Sequence, residues 1–364
     1  MPANIAHMII AHKALALLQA KGFKELADFA AMLDDPAKGK LYRAYMNLGS
    51  VGPDLYYYVS MARSGRDMLL EGFVEAAGVT PWSYQLHCSR PNAFPLHLSE
   101  ILFRDAVHEN GKVTFDADDM RKLAYIAGHL THVAADQIIH PLVNRIARPY
   151  YRSGKNRKKH RECEVFQDYF LYEEIYRTRR NEARGRGKVK YDFFKQDFRK
   201  WMDCVPGLTT KNTEDWFRYF LQRGFVETYG AGPTEDDIEN SMDNLLLILR
   251  VCKIRGPYRD ARDEYEEHGT DSAMYREYIA EPDYATYYEE AVRLSAVYIA
   301  ALYEVYAVLV AGKSFKRQKN RFLKIVSDAD LSSRLQQNIF ETAYKELTKK
   351  SAGGNKYKPV FEDA

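Results

Sequence analysis

Cysteine is scarce in this chain, with four in 364 residues, at positions 88, 163, 204 and 252, and no CxxC pair among them. That excludes a disulfide framework and a thiolate metal site. Reduced thiols in a cytoplasmic protein are the expectation. Charge of one sign is lacking too. A net charge of +3 is too small by itself to argue for nucleic acid or an acidic membrane as partner. Alternating apolar and polar residues, the mark of half-buried strands, are almost absent. The most apolar stretch, residues 294–312, follows Arg293 and contains Glu304, so it reads as a buried helix rather than a membrane span. The opening segment MPANIAHMIIAHKALALLQAKG has no basic stretch before its apolar residues, and His7, His12 and Lys13 interrupt them. It is expected to be a folded amphipathic helix rather than a leader peptide.

Apolar residues recur at a spacing of three and four nearly throughout, which predicts an all-α protein. Helices are expected near 4–21, 23–33, 39–49, 66–77, 97–109, 117–140, 158–180, 191–202, 213–228, 235–254, 271–279, 284–311, 315–326 and 329–348. Gly49-Ser-Val-Gly-Pro-Asp54 carries two glycines and a proline and reads as a loop. Asp116 or Asp118 can cap the helix that follows, and Pro141 is expected to end that helix close to His140. Residues 153–159 and 180–190 read as basic connections. Residues 1–180 hold nine of the ten histidines and form the expected core. Residues 181–348 add helices packed on it, and 349–364 form a polar tail expected to be disordered.

The most informative segment is GHLTHVAADQIIHP, residues 128–141, followed by HRECE at 160–164. On a helix, with His129 as zero, His132, Asp136 and His140 fall at about −60°, −20° and +20°. Three metal-ligand side chains thus share one stripe. His160 and Glu164 make a second pair one turn apart. Buried ionisable groups on one face are costly without partners or a metal, and this pattern suits a polynuclear site in a helical bundle. With His7, Asp54 and His87, the candidates number enough for more than one ion. His12 rivals His7, and His97 rivals His87. His129 is expected to pack behind the stripe, and Glu162 and Asp168 to orient histidines.

In order along the chain stand AHMIIAHKAL, NLGSVGPDLYYY, LHCSRPNAF, GHLTHVAADQIIHP and HRECEVFQDY. This series resembles the zinc-dependent phospholipase C family and its relatives, the single-strand-specific zinc nucleases. The resemblance covers about residues 3–175. It implies a multi-helix bundle of that type, here with extra C-terminal helices, and zinc as cofactor, two or three ions. It implies one ion on Asp54, His87, His132 and Asp136, and a second on His140, His160 and Glu164. A third would share Asp136 with His7 and the chain's own N-terminus. The Asp136–His140 spacing is shorter than in the best-known members, and the Asp54–His87 segment is longer.

The function implied is hydrolysis of a phosphoric ester by metal-activated water, with Asp136 bridging and Asp54 orienting the nucleophile or serving as general base. The substrate would be a small-molecule or lipid phosphate ester. A nuclease acting on single strands is the alternative within the enzymes, since residues 145–190 are rich in Lys and Arg with interleaved aromatics on which bases could stack, although a solvated face over a buried aromatic stripe is the preferred explanation of them. A metal-stabilised scaffold without turnover is the alternative outside them.

Overall fold

The computed structural model describes residues 4–35, 41–59, 81–88, 90–109, 112–148, 153–173, 215–254, 257–314 and 316–326. The expected helices at 66–77, 191–202 and 329–348, and the tail, lie outside them. The described elements are helical apart from one short hairpin. They run α1 (Asn4–Lys21), α2 (Lys24–Leu33), α3 (Tyr42–Leu55), α4 (Pro81–Cys88) and α5 (Ala93–Asp105). The antiparallel strands β1 (Val107–Glu109) and β2 (Lys112–Thr114) follow. Then come α6 (Ala117–Ala147), α7 (Gly154–Phe170), α8 (Asp215–Tyr229), α9 (Glu235–Ile254), α10 (Pro257–His268), α11 (Tyr284–Val310) and α12 (Lys316–Ile325). The protein is all-α, as the apolar spacing predicts. The expected helix at 97–109 is shorter at its end, because residues 107–109 leave it to pair with 112–114.

Helix α6 is the axis of the molecule, and Asp116 starts it. Its carboxylate accepts from the amides of Asp118 and Asp119, both at 2.8 Å, and the Asp119 carboxylate returns to the Asp116 amide. This reciprocal cap satisfies amides that have no partner within the helix. The expected stop at Pro141 does not occur, and α6 continues to Ala147. Proline inside a helix removes one hydrogen bond and costs about 3 kcal/mol. Burial of Leu142, Val143 and Ala147 beyond it offsets that cost, at about 1.5–3 kcal/mol for each large apolar side chain.

The segment 49–54 is also not a loop. It is the C-terminal half of α3, and its glycines serve a close crossing. A Cβ on Gly49 would stand 2.1 Å from the Tyr125 carbonyl oxygen, and one on Gly128 would stand 2.1 Å from the Met46 carbonyl oxygen. Only glycine at both positions lets the α3 and α6 backbones approach so closely.

Helix α11 packs along α6 and α1. Tyr298 donates to Gln137 Oε1 at 2.7 Å and Ser295 donates to the Thr131 carbonyl. By length and composition α11 is sufficient to cross a membrane, yet 61% of its most apolar window is buried inside the protein, as expected of a core helix. Helix α8 packs on α5, and α10 packs on α7. One contiguous apolar cluster runs from Ile5 to Val326.

Candidate metal centre

Five elements deliver the candidate ligands to one place. His7 comes from α1, Asp54 from the last turn of α3, His87 from α4, His132, Asp136 and His140 from α6, and His160 and Glu164 from α7. Seven of the eight are buried, and His140 is half-buried. Their ligand atoms fall into three groups, each within 4.8 Å: His7 with His132 and Asp136; Asp54 with His87 and His132; and His140 with His160 and Glu164. Asp136 links them. Its oxygens lie 3.3 Å from His7 Nε2, 3.3 Å from His132 Nε2, 3.5 Å from His140 Nε2 and 3.6 Å from His87 Nε2. Asp54 Oδ1 is 3.2 Å from His87 Nε2, and Glu164 Oε1 is 3.0 Å from His160 Nε2 and 3.3 Å from His140 Nε2.

The rivals stand elsewhere. His12 pairs with Asp34 at 2.9 Å, and His97 meets the Thr228 hydroxyl at 2.9 Å. His129 is fully buried behind the stripe, its ring beside Phe94 and Tyr125. Burial, with the neighbouring His132 and His87, holds its pKa well below the usual value.

Two histidines are set in the tautomer a cation needs. Nδ1–H of His132 donates to the Ser50 carbonyl at 2.9 Å, and Nδ1–H of His87 donates to the Ser83 carbonyl at 2.8 Å. Each Nε2 then offers a lone pair to the centre. The close crossing at Gly49 and Gly128 is what brings Ser50 within reach of His132. Although His132 Nε2 and Asp136 Oδ2 are 3.3 Å apart, neither has a hydrogen-bond partner. With the ring proton on Nδ1, two electron-rich atoms face each other. Asp54 Oδ2 is likewise buried without a partner. Buried polar atoms are ordinarily paired, and histidine nitrogens with carboxylate oxygens are the donor set of zinc. The residues present fit such an ion.

The field of the centre agrees. Burial acts against charge on His140, but Asp136 and Glu164 outweigh it and push its pKa up to about 10. His7 and His87 are also raised against burial, chiefly through Asp136 for the first and Asp54 for the second. Burial and the neighbouring His7 instead lower His132. Burial acts to raise Asp136, yet His140 and His132 hold it well below the carboxylate range. These carboxylates create a potential that favours positive charge.

Asp168 and Glu162, expected to orient histidines, do other work. Asp168 on α7 accepts from the amides of Ala6 at 2.7 Å and Ile5 at 3.3 Å and from the Tyr258 hydroxyl at 2.6 Å. It thereby fastens the first turn of α1, and with it His7, to α7 and α10. Burial raises its pKa to about 7 against those hydrogen bonds. Glu162 accepts from the Tyr278 hydroxyl at 2.9 Å. No helix expected from the sequence covers residues 257–268, so Tyr258 has no place in that reading. Pro257 at the first helical position, with Tyr258, Ala261 and Tyr265 at helical spacing, could have marked it.

An all-helical frame closed around buried histidines and carboxylates is the architecture of a metal centre built in a bundle core. The chain belongs to the zinc-dependent phospholipase C family, whose model matches residues 6–207. That membership supports a zinc-dependent, phosphoesterase kind of function. No curated protein and no solved structure matches the chain.

Proposed function

We propose that the protein hydrolyses phosphoric esters with the help of two or three zinc ions held by His7, Asp54, His87, His132, Asp136, His140, His160 and Glu164. The observation that carries this reading is the convergence of those eight side chains, from five elements, into three adjoining groups around Asp136. Bound zinc supplies Lewis acidity, lowering the pKa of water toward neutrality and neutralising phosphoryl oxygens. The chain's own residues set the geometry. Ser50 and Ser83 fix the tautomers of His132 and His87. Asp136, a member of one group and within 3.6 Å of a histidine from each of the other two, would serve as the bridging carboxylate. Asp54, whose Oδ2 is buried without a hydrogen-bond partner, would orient the attacking water and accept its proton.

The ester reading is favoured over a nuclease. Of the aromatics interleaved with the basic run, Phe166, Tyr169 and Phe170 are buried against Tyr265, Tyr278, Tyr275 and Tyr284, so their faces are closed to bases. The test is elemental analysis of protein purified without chelator, followed by assay on a generic phosphodiester. At least one tightly held zinc per chain is expected, and Asp136→Asn should lower turnover by 10³-fold or more while the chain still folds, a loss on the order of 4 kcal/mol. Metal-free protein, or full activity in Asp136→Asn, would sink the reading.

A further inference from the structure

The first turn of α1 holds a polar side chain that the fold leaves unsatisfied. Asn4 is 1% exposed, and its Oδ1 is buried without a hydrogen-bond partner. Asparagine at the start of a helix ordinarily accepts from the amides two or three positions on. Of those two amides, that of Ala6 donates to Asp168 instead, as does the amide of Ile5. Asn4, the first described residue of α1, is thus buried with its side-chain oxygen accepting from no amide. It stands three residues before His7, and side chains three apart are neighbours on a helix face. His7 Nε2 in turn lies 3.3 Å from Asp136 Oδ1 and belongs to the group with His132 and Asp136. A side-chain amide oxygen is a hard, neutral ligand that divalent cations accept.

We propose that the amide oxygen of Asn4 is a further ligand of the ion held by His7, His132 and Asp136, and that the Asp168 clamp on α1 holds it ready for that role. This rests on the zinc reading given above. The division of labour is physical. Asp168 holds the Ile5 and Ala6 amides, and the asparagine oxygen is left with no hydrogen-bond partner of its own. A fourth oxygen or nitrogen donor also brings that group from three ligands to the four that zinc prefers when a site is complete.

The experiment counts ions in the whole chain. Wild type, Asn4→Leu and Asn4→Asp are each stripped, reloaded with zinc, dialysed against a weak chelator and analysed for zinc, with titration calorimetry giving the affinity of each class of site and far-UV circular dichroism checking the fold. Asn4→Leu keeps the branched outline of the side chain but has no oxygen donor. It should lose one zinc per chain, or weaken one class of site by at least tenfold, with the remaining ions unchanged. Asn4→Asp, which restores an oxygen and adds charge, should keep the full count. If Asn4→Leu folds and retains the wild-type count and affinities, Asn4 is no ligand and the proposal is overturned. If Asn4→Leu fails to fold, Asn4→Asp decides: a zinc affinity no higher than that of the wild type at every site overturns it. A wild type that takes up no zinc defeats the zinc reading itself, an outcome distinct from either.

Discussion

Asp136 has four histidine nitrogens within 3.6 Å of its carboxylate. In the metal-free chain that crowding is balanced by protons. His140 is pushed up to about 10 from an ordinary 6.5, against burial, by Asp136 and Glu164, so it is charged at neutral pH. A zinc ion needs the neutral ring, and binding must therefore expel that proton. Zinc affinity should rise with pH from 7 toward 10, with about one proton or more released per chain, measured by calorimetry in two buffers of different ionisation enthalpy. The same shift bears on folding. A group whose folded pKa is raised contributes stability that is fully present below its unfolded value and is lost as pH rises through the folded one. Metal-free protein should therefore lose melting temperature between pH 7 and 10, and the zinc-loaded form should lose less. An affinity that stays flat from pH 7 to 9 would contradict this account of His140.

The crossing of α3 and α6 shows how the elements carry the site. Gly128→Ala places a methyl 2.1 Å from the Met46 carbonyl oxygen and 2.8 Å from the Ser50 amide. Both are backbone atoms, so the helices must separate. A loss on the order of 2–3 kcal/mol is expected in urea titration, together with a fall in zinc affinity, because Ser50 and Asp54 ride on the displaced helix. Unchanged stability would show that the helices are not held that closely. This crossing also marks the limit of what the sequence disclosed. Two glycines and a proline within six residues are a local turn signal, and only the partner helix reveals that the glycines exist to admit it. Pro141 misled in the same way, because the burial of Leu142 and Val143 is not local information. The stripe on α6, by contrast, is a pure periodicity and was legible at once. The choice of His7 over His12 and of His87 over His97 was not, since both members of each pair lie in helices, and only the contacts of Asp34 and Thr228 remove the rivals.

At the scale of the molecule, the centre joins residue 7 to residue 164 and draws on α1, α3, α4, α6 and α7. An ion that binds only this assembled arrangement stabilises the fold by mass action. At a free concentration about one hundred times the dissociation constant, the gain is about 2.7 kcal/mol per site. Adding zinc to stripped protein should therefore raise the thermal midpoint by at least several degrees, and a chelator should reverse it. No shift would mean that the ligands do not act together. The class of fold was readable from composition and spacing. The placing of α8 on α5 and of α10 on α7 was not, because no periodicity in one helix names the helix it meets.

One rigid rod, α6, contributes to all three ligand groups at once: His132 to two of them, Asp136 to one, and His140 to the last. Any ion that sets the rotation of that rod about its axis sets it for the others. In the proposed site the ions would therefore not fill independently: the first zinc would make part of the adjustment that a second would otherwise require, and occupancy is expected to climb more steeply than a simple binding isotherm.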